Sequence, residues 1–141
     1  MAVIRGFAAT AVFAGLAVGA AGTAWAETPT MSGDYTETST SPSGRGVTTD
    51  WTVSTCGDGC LWIKAGAGSG QAHLIDGQWV MDTMNSLSCP DSAFVLYAAS
   101  SHITWDPNTL EGTSEITYNI GACGHPPGYH QTNKISLKKA S

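Results

Sequence analysis

Positive charge is scarce in this chain. Six Lys and Arg stand against eleven Asp and Glu, and one of the six, Arg5, falls in what reads as a leader. Residues 27–141 keep five basic and eleven acidic side chains, a net charge of −6. Nucleic acid and anionic membrane surfaces both attract a basic patch, so neither is an expected partner. The C-terminal lysines Lys134, Lys138 and Lys139 read as a solvated edge strand. Catalytic signatures are missing too: there is no Gly-x-Ser-x-Gly, no His-Glu-x-x-His and no phosphate loop. Asp58, Asp76, Asp91 and Asp106 fall in turns, where aspartate bonds its own backbone. Outside the first 26 residues no window repeats with a helical period. These absences point to a non-enzymatic protein with no cofactor.

The only long apolar run is N-terminal. Arg5 precedes Gly6–Gly22, a stretch of small and apolar residues, and Ala24-Trp25-Ala26 supplies the small residues that signal peptidase requires. The run is shorter than the ~20 residues of a spanning helix and is rich in Ala and Gly. We therefore expect residues 1–26 to be a cleaved signal peptide and residues 27–141 a single secreted or cell-envelope domain, without stable membrane insertion after cleavage. No cysteine near the cut offers a lipid anchor, and a single Arg does not make a twin-arginine signal.

What the remainder has is strand pattern. In Trp51–Lys64, Trp51, Val53 and Thr55 alternate with Thr52 and Ser54, and Leu61 and Ile63 alternate with Trp62 and Lys64. Gly57-Asp58-Gly59 between them suits a three-residue hairpin connection, because glycine adopts positive φ without steric cost. Gly33–Thr40 is rich in Thr, with Tyr35 on one face. Gln71–Ile75 and Gln78–Met84 flank Asp76-Gly77, the strongest short hairpin signal present. Ala65–Gly70 reads as a flexible loop. Phe94–Ala98, His102–Trp105, Leu110–Ile120 and Lys134–Lys138 read as further strands, with Gly121–Asn133 as a long loop. About eight strands, each with one polar face, predict an all-β antiparallel meander. A small closed or nearly closed barrel removes the exposed edges; a two-sheet sandwich is the alternative.

Four cysteines, Cys56, Cys60, Cys89 and Cys123, imply two disulfides in an exported domain of this size. Three connectivities exist. Cys56–Cys60 with Cys89–Cys123 is favoured, since the hairpin already holds the first pair together. Cys56-x-x-x-Cys60 also matches the spacing of redox or copper-delivery pairs, but those proteins carry helices that this pattern lacks.

Tyr35, Trp51, Trp79, Trp105 and Tyr118 fall on the inward face. They either fill a core or line a lumen for a small apolar ligand. Trp62 shares a face with Lys64 and is expected to be partly exposed, a candidate anchor for a protein partner. Asp58 at the hairpin tip, with His125, Tyr129 and His130 in the long loop, completes the candidate interaction surface. His125 and His130 lie near Cys123, but their spacing matches no zinc pattern and Cys123 is expected to be oxidised. No metal site is predicted. The expected function is a binding or interaction module for an unknown protein or a small apolar ligand. A metal or redox protein is a weaker alternative.

Cys56-Gly-Asp-Gly-Cys60, Gly77-Gln-Trp79, Cys89-Pro-Asp91, Trp105-Asp-Pro107, Thr109-Leu110-Glu-Gly-Thr113 and Cys123-Gly124 together resemble the pattern of a group of small exported mycobacterial proteins. Those proteins have a leader and one such domain. The pattern is similar, too, to domains at the extracellular ends of some mycobacterial membrane proteins. The resemblance spans nearly all of residues 27–141 and implies export, but no activity and no site residues. Where the pattern has glycine after Cys-Pro-Asp this chain has Ser92, which leaves the type of that turn open.

Overall fold

The computed structural model describes residues 28–66 and 68–140; the expected signal peptide lies outside them. Alternation becomes strand at eight places: β1 (Gly33–Thr40), β2 (Gly46–Gly57), β3 (Cys60–Ala65), β4 (Gly68–Ile75), β5 (Gln78–Ser88), β6 (Phe94–Trp105), β7 (Glu111–Tyr118) and β8 (His130–Lys139). Each pairs antiparallel with its sequence neighbour, and β8 returns to pair with β1, so the meander closes into a barrel. Closure leaves no free edge; even the lysine-rich β8 is bonded on both sides. Among the described residues no helix is long and apolar enough to cross a membrane.

Several boundaries differ from the sequence reading, each for a local reason. The β2–β3 connection has two residues, Asp58 and Gly59, because Gly57 pairs directly with Cys60. Gly57 takes φ 123° and exchanges hydrogen bonds with the Thr55 hydroxyl at 3.2 Å. The extra residue in this bulge is Cys56, whose sulfur reaches Cys60 across a Cα separation of 5.0 Å. Phe94–Ala98 and His102–Trp105 are one strand, β6, with a bulge opposite Ser86 that absorbs the break in alternation. The loop expected at Ala65–Gly70 is a tight connection, since Gly68 already pairs with Ala65. β7 stops at Tyr118, leaving Ile120 45% exposed. There the chain turns aside, with Asn119 N–H donating to the Ala98 carbonyl at 2.8 Å.

Asp76 and Gly77 both have positive φ (51° and 80°), the backbone an Asp-Gly hairpin requires. Ser92 sits at φ 69°, a left-handed conformation that glycine adopts more readily than serine. Asp106 caps its own turn by accepting from the Asn108 and Thr109 N–H groups at 2.7 and 3.0 Å. Those bonds hold its carboxyl below the usual range.

A meander places successive connections at opposite ends. The chain termini and the β2–β3, β4–β5 and β6–β7 turns lie at one end, the other four connections at the far end. The terminal end is filled. Trp79 faces Trp105 across β5 and β6, and both are fully buried with Leu61, Ile63 and Ala72. Trp51 meets Trp105 edge-on at 5.4 Å between ring centres. Met31 plugs this end, its sulfur accepting from Trp105 Nε1 at 3.3 Å. Gly112 lies opposite Trp105. A β-carbon there would collide with the Thr104 carbonyl and Trp105 Cα, so only glycine lets β7 lie this close to the β6 backbone.

Both disulfides form in the favoured pairing, Cys56–Cys60 and Cys89–Cys123, the chemistry of an oxidising compartment. The short one closes a hairpin at the filled end. The long one ties the β5–β6 connection to the β7–β8 loop at the other.

Candidate binding cup

Inward positions alternate along every strand, and toward the second end they turn polar. On β1 the inward series runs Tyr35, Glu37, Ser39; on β2, Val53, Trp51, Thr49; on β5, Trp79, Met81, Thr83, Asn85; on β6, Trp105, Ile103, Ser101. Ser114 follows Gly112 on β7. The smaller polar side chains do not fill the lumen. They enclose a cavity of about 600 Å³ bordered by Glu37, Ser39, Thr49, Thr83, Asn85, Ser101 and Ser114, with Trp51, Ile63, Met81, Ile103 and Ile116 as its apolar wall. An eight-stranded barrel is wide enough either to be filled by side chains or to hold one small ligand. This one does the first in one half and leaves room for the second in the other.

Most polar groups in and beside this cup are engaged with one another. Thr83 Oγ1 donates to Asn85 Oδ1 at 3.2 Å, and Asn85 Nδ2 donates to Ser101 Oγ. On the opposite wall Gln131 Nε2 donates to Asn133 Oδ1 at 2.7 Å, and Asn133 Nδ2 to Ser39 Oγ at 3.1 Å. These bonds hold the wall in one arrangement. Glu37 is the exception in chemistry. It is only 8% exposed, and burial pushes its carboxyl up to about 7, offset in part by a hydrogen bond with Thr49 opposite it on β2. Among the described residues no Lys, Arg or His lines the cup.

The predicted residues scatter. Trp51 borders the cup, whereas Tyr35, Trp79 and Trp105 belong to the packed half. Trp79 and Trp105 are fully buried and do not border the cup. Tyr118 reaches the open end, where it meets Tyr129 and His125 edge-on at 5.1 and 5.7 Å. His125 stacks on Tyr129 at 3.7 Å. Burial, then the neighbouring Tyr129, raises the Tyr118 hydroxyl above its ordinary pKa. Trp62 is 43% exposed on the outer wall, as its face predicted. Asp58 stands at the filled end and the 119–129 loop at the other, so the hairpin tip and this loop do not form one surface; opposite-end placement follows from the meander itself. His130 Nδ1 lies 3.2 Å from the Thr117 hydroxyl. Among the described residues no group of three His, Cys, Asp or Glu side chains is placed to hold a metal. All four cysteines are in disulfides.

Glu37 was not singled out from sequence, although the signal was present. It sits two residues from Tyr35, on the face expected to point inward. Comparison with protein-family models, curated proteins and solved structures finds no match to this chain.

Proposed function

We propose that this protein is an extracytoplasmic, non-enzymatic binding module that holds a small polar ligand in the open half of its barrel. The observation that carries this reading is the cavity of about 600 Å³ around Glu37, a size typical of small-molecule sites. The prearranged amide and hydroxyl walls support it, because a site whose polar groups are already fixed loses little on ordering when a ligand enters. Two disulfides and the leader-like N-terminus support export, and the resemblance to small exported mycobacterial proteins agrees with it. The barrel is a container, and the polar half is where it has room.

The test is fluorescence of the purified protein against a chemically diverse panel of hydrophilic small molecules. Saturable change that is lost in Ser114→Leu, a substitution that fills the cup, is the expected result. A panel-wide absence of saturable response overturns the reading.

A further inference from the structure

We infer that the cup takes a small organic cation, a primary ammonium or a guanidinium group, with Glu37 as its counter-charge. This rests on the reading of the cup as a ligand site and adds the chemical class of the ligand.

The argument begins with charge. A buried carboxylate is ordinarily paired with a cation or held by several donors. Glu37 has neither. On β1 itself the nearest inward titratable group is Tyr35. β2 contributes Thr49 and Trp51 to this face. From β8, Leu137 stands directly opposite Glu37, with Ile135 next to it. Across the lumen, β3, β4 and β7 present Ile63, Ala65, Gly70, Ser114 and Ile116. β5 and β6 add Met81, Thr83, Asn85, Ser101 and Ile103, with Tyr97 at the mouth. None of these brings a positive charge. Asp82 also borders the space, but its carboxylate is exposed and held by His102 Nδ1 at 2.7 Å. The field inside the cup is therefore of one sign.

Hydrogen bonding points the same way. Asn85 bonds Thr83 and Ser101, and Asn133 bonds Ser39, so a neutral polyol finds the amides already engaged and is left mainly with serine and threonine hydroxyls. A carboxylate can accept about four hydrogen bonds, and Glu37 has capacity left. An ammonium or guanidinium supplies donors and the missing charge together, whereas an anion would meet Glu37 head on. Trp51 at the wall adds an indole, the strongest aromatic partner for an organic cation.

Titration calorimetry with putrescine and agmatine, beside uncharged butanediol and anionic succinate, tests the inference near pH 6 and near pH 8. The two amines stay charged throughout, so the change in affinity reports Glu37. With a carboxyl that titrates at about 7, the competent ionised fraction rises about tenfold over that interval, and affinity should rise with it. Glu37→Gln should lower cation affinity at least tenfold and remove the pH dependence, with far-UV circular dichroism unchanged. Ser114→Leu, which leaves Glu37 in place, should also abolish binding. Butanediol or succinate binding as well as the amines would overturn the charge assignment and leave the cup as a site. Amine binding unaffected by Glu37→Gln would overturn it as well. Failure of the amines alone, with other panel members binding in the cup, sinks this inference only; failure of every compound sinks the cup reading with it.

Discussion

At the end of the barrel that Met31 closes, Trp79, Trp105, Leu61 and Ile63 are buried to within 1% of complete. At the other end the same strands, in the same alternation, present Glu37, Thr49, Thr83, Asn85, Ser101 and Ser114 around open space. One register thus builds a core and a container in series. The difference lies in side-chain volume and polarity, since β1 and β2 pair without a break along the whole of β1. It also separates two kinds of residue: the filled half supplies most of the apolar burial, and the open half carries the one buried carboxylate among the described residues. Stability and binding are therefore expected to respond to different substitutions.

The largest contrast should come from truncating side chains in each half. Trp105→Ala removes a fully buried ring and is expected to destabilise by about 3–5 kcal/mol. Thr83→Ala, on the cup wall, should cost less than about 1 kcal/mol. Denaturant unfolding measures both, and equal costs would mean that the two halves are packed alike.

Crosslinks sharpen the comparison next. The Cys89–Cys123 bridge spans 34 residues and the Cys56–Cys60 bridge four. In the loop-entropy account, replacing the first pair by serine costs about 4 kcal/mol and the second about 2 kcal/mol. The open end thus depends on a covalent tie where the filled end has packing. A reversed order in thermal unfolding would show that the 119–129 loop is held without its bridge.

A smaller effect is expected from Glu37. Its carboxyl titrates at about 7 in the fold against an ordinary value of 4.5. Between those values the folded chain retains a proton that the unfolded chain has released. Stability should therefore fall as pH rises from 4.5 to 7 and level off above. Discounted for solvent screening at the open mouth, the loss is on the order of 1–2 kcal/mol. Glu37→Gln should flatten that part of the curve. An unchanged pH profile in the variant would place the carboxyl in water.

The smallest is a gain. Ser92 holds a left-handed conformation that costs a side-chain-bearing residue about 1 kcal/mol or more, while glycine adds unfolded-state entropy. Ser92→Gly is expected to stabilise by at most about 1 kcal/mol in equilibrium unfolding. A net loss would mean that the serine hydroxyl compensates for its backbone.

Much of this molecule was legible in the order of its residues. Trp51, Val53, Leu61 and Ile63 alternate with polar neighbours, and that period of two has no helical solution. Asp76-Gly77 named its own hairpin, and the Cys56–Cys60 spacing named its bridge. The bulge that joins two expected strands into β6 was not legible, because Tyr97 at φ 51° is a conformation no tyrosine advertises. Nor was the cup. Parity with Tyr35 assigned Glu37 to the inward face, but parity says nothing about what stands across the lumen.

The amino-acid sequence by itself determined most of the strands, their inward and outward faces and the number of crosslinks, because each depends on near neighbours or on a count of cysteines; which cysteines pair over 34 residues is a matter of the fold. Only the tertiary structure decided that the five inward aromatics would not share one space and that polar side chains would surround a void. Whether a lumen is full depends on the volumes of residues from all eight strands meeting across the barrel, distances that close only when β8 pairs with β1.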